Sequence, residues 1–141
     1  MIPCFIIPRF DFARRTFLLL LWALLIGGGL TCLASAEEKK IVVLTIQYGD
    51  GVEKRFTALP WKEGMTIADA LALAQEHPRG IKFKNRGKGA TSILLELDGL
   101  ANGTNDKYWI FDLNGKEGDC SYALVKLQPG DAVLWRFSTY P

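Results

Sequence analysis

Residues 98–115 read DGLANGTNDKYWIFDLNG: a turn signal, a polar loop, an aromatic strand and a second turn signal. The strand, Lys107–Leu113, gathers Tyr108, Trp109 and Phe111 around Ile110. Asn114-Gly115 closes it with the strongest short hairpin signal in the chain, because a tight hairpin turn needs positive φ at both central positions. So many large apolar groups on one short strand predict the central strand of a sheet. Neighbouring strand residues point to opposite faces, so one of Tyr108 and Trp109 faces a helix-covered core and the other faces outward. A binding role for the strand rests on the outward one.

Upstream, Ile41–Tyr48 alternates, with Val42, Leu44, Ile46 and Tyr48 on one face. Gly49-Asp50-Gly51 is a turn, and Val52–Leu59 a second strand that Pro60 ends. Thr66 with Asp69 three residues on forms a capping box with Asp in place of Glu. Ile67, Ala70, Leu71 and Ala74 then recur at helical spacing, and Pro78 stops the helix near Glu76 or His77. Short strand character follows in Ile81–Lys88 and Thr91–Leu97. Downstream, Ser121–Leu127 reads as a short strand or an irregular crossing. Pro129-Gly130-Asp131 is a turn, and Ala132–Phe137 the last strand, with Val133, Trp135 and Phe137 on one side. Hairpin, single crossover helix and further strands predict an α+β fold: a β-grasp-like mixed sheet with one helix on one face.

The first 36 residues read as a secretory signal peptide. Arg9, Arg14 and Arg15 precede the apolar run Phe17–Leu30, which exits at Ala34-Ser35-Ala36. The run is short for a membrane span and is broken by Gly27-Gly28-Gly29. Membrane contact is therefore expected only through this segment, if it stays uncleaved. Arg14-Arg15 also fits a twin-arginine export signal, although the leucine-rich core suits the general route better. The expected product is secreted, periplasmic or at the cell surface, with residues 37–40 as a charged linker and 41–141 as one domain. Without the leader, 14 basic and 14 acidic residues remain. A neutral domain has no global field to draw in nucleic acid or an anionic membrane. Cys4 and Cys32 leave with the leader, so Cys120 is expected alone, as a small buried apolar residue or a group that pairs between chains.

GMTIADAL after a hairpin, then LDGL, KYWIFDLNG and PGDAVLWRF, together resemble the domain family DUF4430, the transcobalamin-like C-terminal domain. The resemblance runs from Ile41 to Phe137. It implies a β-grasp-like fold related to soluble-ligand-binding modules. In animal cobalamin carriers such a domain closes over a ligand held by a larger helical domain. The resemblance therefore implies a non-catalytic binding domain for cobalamin or another ring-bearing small molecule, with Tyr108, Trp109 and Phe111 as ligand-binding residues. A protein- or glycan-interaction module without a small ligand is the alternative.

Catalysis and metal binding have little to stand on. His77 is the one histidine and sits at a helix end, without the partners that acid–base work needs. Cys120 as a nucleophile would need a base beside it. One histidine with one cysteine cannot fill a zinc site, and Asp50, Asp112, Asp119 and Asp131 lack calcium-loop spacing. No enzyme activity, resident cofactor or metal is expected. Lys82, Lys84, Arg86 and Lys88 alternate, so an extended strand places all four on one face. That stripe is either an anion site for phosphate or acidic glycan, or the charged guard of an edge strand. Asn102-Gly103-Thr104 fits the N-glycosylation pattern in a loop expected to be exposed.

Overall fold

A computed structural model describes residues 39–140. The expected leader at 1–36, with Arg14, Arg15, Cys4 and Cys32, lies outside the described residues. Strand β1 (Ile41–Gln47) alternates as its sequence requires: Val42, Leu44 and Ile46 are wholly buried. Gly49 and Gly51 take φ of 77° and 89°, and the Val52 N–H donates to Asp50 Oδ1 at 2.9 Å. This turn folds β2 (Glu53–Pro60) antiparallel onto β1.

Helix α1 (Ile67–Glu76) begins at the predicted cap. The Asp69 N–H donates to Thr66 Oγ1 at 3.4 Å, and the Thr66 N–H donates to the Asp69 carboxylate at 2.8 Å. Ile67, Ala70, Leu71 and Ala74 are fully buried against β1 and β2. The helix stops where it should: His77 is already extended at φ −65°, ψ 146°, the conformation a residue before proline prefers.

A small three-stranded sheet follows, in the order β3 (Phe83–Arg86), β4 (Ile93–Leu97), β5 (Leu100–Ala101). Lys84 pairs with Glu96 but Asn85 with Leu94, so β4 carries one extra residue in a bulge. The bulge resets the alternation of SILLEL. Leu94 and Leu97 are both buried, whereas Ile93 and Leu95 are exposed.

The aromatic strand is β6 (Tyr108–Leu113). Asn114 and Gly115 take φ of 51° and 79°, as the hairpin signal demands, and lead into β7 (Lys116–Glu117). The chain from Gly118 to Asp131 forms no strand beyond an isolated bridge between Thr66 and Lys126, so the irregular crossing is what the chain adopts. Tyr122, Val125 and Leu127 still enter the core, and the Leu127 N–H donates to the Met65 carbonyl at 2.8 Å.

Strand β8 (Ala132–Ser138) completes a five-stranded sheet in the order β2-β1-β8-β6-β7. It runs parallel to β1 and antiparallel to β6. The central strand is thus β8, which corrects the expectation for β6. The last strand slots between the first and the aromatic one, a pairing distant in sequence. The result is an α+β fold, a mixed sheet with one helix on one face, in the β-grasp-like path the sequence predicts. Among the described residues no helix is long and apolar enough to cross a membrane.

Candidate functional site: a cleft at the edge of the aromatic strand

Register decides which aromatic faces where. Trp109 lies opposite Phe137 and Phe111 opposite Trp135, all on the core face. Tyr108 points the other way. It is 37% exposed, and its ring lies 5.3 Å from that of Tyr140. Trp109 is therefore the inward residue of the pair and Tyr108 the outward one.

Strand β6 is flanked by β8 on one side and only by the two-residue β7 on the other. Beyond its first half the sheet has no further strand, and other groups satisfy the edge. The Trp109 N–H donates to Asn102 Oδ1 at 2.8 Å, and the Gly118 N–H donates to the Phe111 carbonyl at 2.9 Å. Asn102 also donates through Nδ2 to the Leu94 carbonyl at 2.7 Å. Its side chain thus bridges β4 and β6. The loop that carries the glycosylation pattern is exposed, as expected, but Asn102 itself is a half-buried structural amide.

Between the β6 edge, the start of β4 and the 117–122 segment lies an open cleft of about 280 Å³. Trp109, Phe111, Tyr122, Trp135 and Tyr140 give it aromatic lining, and Ser92 and Ser121 give it hydroxyls. The rings interlock. Trp135 lies 5.4 Å from Phe111 and 5.4 Å from Tyr122, edge-on to the latter at 77°. Ser92 Oγ donates to the Tyr122 hydroxyl at 3.1 Å, and Ser121 Oγ donates to the Gly89 carbonyl at 2.7 Å.

One polar atom stands out. Trp61 Nε1 donates to the Leu127 carbonyl at 2.7 Å and Trp109 Nε1 to the Leu100 carbonyl at 2.9 Å. Trp135 is 2% exposed, yet its Nε1–H has no hydrogen-bond partner among the described residues. An unmet buried donor of this kind costs about 1–3 kcal/mol.

Of the residues singled out in the sequence for ligand contact, the inward Trp109 and Phe111 line the cleft; the outward Tyr108, on which a binding role was expected to rest, does not, although Tyr140 beside it does. Sequence reasoning placed Trp135 in the last strand but gave it no part in a site, and it missed Tyr122, Ser92 and Ser121 as lining. Their union depends on tertiary contacts. The only local signal was the aromatic strand itself.

The basic series behaves differently from a four-residue stripe. The strand spans Phe83–Arg86 alone, and Gly87 at φ 83° redirects the chain before Lys88. Lys84 and Arg86 share the strand, while Lys82 and Lys88 flank it. Lys84 Nζ pairs with Glu96 at 2.9 Å, and the Lys82 N–H donates to Asp98 Oδ1 at 2.8 Å. Strand β3 is the edge of its sheet.

His77 is exposed at the helix end, where its Nδ1 accepts from the Arg79 N–H at 3.1 Å. Cys120 is half-buried and disulfide-bonded. Among the described residues no three or more His, Cys, Asp or Glu side chains gather as a metal site.

No protein-family model matches the chain, and no curated protein matches it. Its fold is similar to a crystal structure of a "putative metal binding protein" from Ruminococcus gnavus ATCC 29149. The two share 13% identity and a TM-score of 0.57, over 72% of this chain and 99% of the other. At that identity the likeness concerns the fold alone.

Proposed function

We propose that this protein is an exported, non-catalytic domain that binds a small ring-bearing ligand in the cleft beside β6. The observation that carries the reading is the aromatic cleft, one of whose lining residues, Trp135, has a buried Nε1–H without a partner among the described residues. Ligand sites are typically concave, largely apolar and furnished with a few placed polar groups. This cleft is concave and combines aromatic side chains with placed hydroxyls, in a lining slightly more polar than apolar. The sequence resemblance to the transcobalamin-like domain supports the same class, and the basic start, apolar run and small-residue exit of the leader support export.

The size of the cleft narrows the ligand. Ligand pockets commonly span about 300–1,000 Å³, and this one falls just below that range. It suits one fused ring system, or the edge of a larger molecule. A corrinoid would insert only a part and leave the rest to a second protein surface. The description of the Ruminococcus gnavus protein suggests metal binding, but the described residues offer this chain no ligand cluster for one.

Tryptophan fluorescence of the purified protein, corrected for ligand absorbance, tests the reading with cobalamin, related corrinoids and a panel of small heteroaromatic compounds. Saturable quenching that Trp109→Phe weakens is expected. A flat response to every compound overturns it. The alternative, a protein- or glycan-interaction module, draws on the outward Tyr108, which does not line the cleft. On that reading Tyr108→Ala abolishes binding and Trp109→Phe leaves it intact.

A further inference from the structure

The cleft reading leaves open what chemistry the ligand must carry, and Trp135 supplies it. Five aromatic rings line the cleft, so a flat ring is the shape that fills it with the best contact. The Trp135 indole N–H is a donor and nothing else. It lies under the aromatic lining, out of reach of solvent, with no acceptor among the described residues. The two other described indoles each have a carbonyl. The fold can thus supply an indole acceptor at this depth, and at Trp135 it does not.

Building on that reading, we propose that the cleft selects a planar heteroaromatic ligand whose hydrogen-bond acceptor seats on Trp135 Nε1, with Tyr122 as the gate. Two rings flank Trp135, those of Phe111 and Tyr122. Phe111 sits on β6 with Gly118 pressed against its ring, leaving no room to turn. Tyr122 sits on the irregular 118–131 segment; its ring packs in the core, and its hydroxyl accepts a hydrogen bond from Ser92. Rotation of Tyr122 breaks that contact, uncovers the indole N–H and frees the Ser92 hydroxyl as a second donor. Side-chain rotations of this size are common on binding. A ligand without an acceptor gains the ring contacts but leaves the indole donor unmet.

Quinoline and naphthalene make the matched test, since they share a shape and differ by one ring nitrogen. Indole N–H resonances of the purified, 15N-labelled protein report binding, with the Trp135 signal assigned by its loss in Trp135→Phe. Quinoline is expected to move the Trp135 N–H downfield and to bind about tenfold tighter than naphthalene, the effect of one added hydrogen bond. Equal binding of both, with the Trp135 N–H unmoved, overturns the acceptor assignment and leaves the ligand-binding reading standing. Failure of quinoline to perturb any cleft residue at millimolar concentration overturns this inference; the ligand-binding reading then falls only if the wider fluorescence panel is flat as well. Tyr122→Phe releases the gate from Ser92 and is expected to bind quinoline more tightly. Weaker binding by that variant overturns the gating step.

Discussion

Lys54 Nζ lies 2.8 Å from Asp98 Oδ2 and ties the β1–β2 hairpin to the turn that ends β4. Asp98 holds more than this one partner. The Tyr48 hydroxyl donates to the same oxygen, the Lys82 N–H donates to Oδ1 at 2.8 Å, and the Asp98 N–H returns a bond to the Lys82 carbonyl at 2.7 Å. Asp98 sits at φ 48°, a left-handed position that Asp and Asn tolerate better than other side chains. One carboxylate therefore joins both sheets.

Asp98→Asn keeps the shape and the backbone and removes the charge. It should destabilise the protein by about 1–3 kcal/mol at neutral pH, through weakened bonds to half-buried donors. Burial alone raises the Asp98 pKa, but hydrogen bonds from Lys54, Tyr48 and the Lys82 N–H outweigh it and hold the group below its ordinary 3.8. The stabilisation is therefore complete above that ordinary value and is lost as pH falls through the lower folded one. Urea midpoints across the acid range should show parent and variant converging there. A gap that stays constant down to the acid limit refutes the assignment.

The alkaline side should show the mirror behaviour at Tyr48. Burial, then the Asp98 hydrogen bond and charge, raises its phenol above the ordinary 10.0. Its contribution is full below that value and fades as pH climbs beyond it. Phenolate absorbance should reveal one tyrosine that ionises late in the folded protein and normally in denaturant. Tyr48→Phe should remove that late step; its persistence would place the effect elsewhere.

Asn102→Ala leaves the Trp109 N–H and the Leu94 carbonyl without their shared partner. A loss of about 1–3 kcal/mol is expected for such half-buried groups. Hydrogen exchange at the Trp109 amide should rise with it. Protection at the parental level would mean that water replaces the side chain at no cost.

Gly118→Ala tests the packing beneath the cleft. A methyl group there collides with the Phe111 ring. Overpacking of this kind costs about 1–3 kcal/mol, and the displaced ring should alter the environment of Trp135. Thermal unfolding and tryptophan emission measure both. A variant as stable as the parent with unchanged emission shows that the 117–122 segment yields freely.

What the sequence made legible was local. The Thr66–Asp69 cap, the stripe Ile67, Ala70, Leu71 and Ala74, and the Asn114-Gly115 turn all depend on residues within a few positions of one another. The alternation of β1 and β8 likewise needs only a period of two. The misses are non-local. No periodicity announces that β8 enters between β1 and β6, or that β4 takes an extra residue. The cleft was half-legible. Trp109 and Phe111 were named for their strand, whereas Trp135, from the last strand, meets Phe111 and Tyr122 only through tertiary packing.

The parallel seam between β1 and β8 also sets the timing of assembly. Val43 pairs with Ala132 and Gln47 with Arg136, so the first strand made waits for the last. Chains dominated by such distant pairings fold slowly. As the chain emerges from a ribosome, the hairpin and helix can form early, but the sheet has a gap at its middle until β8 has been made, and only then are β1 and β6 joined into one sheet.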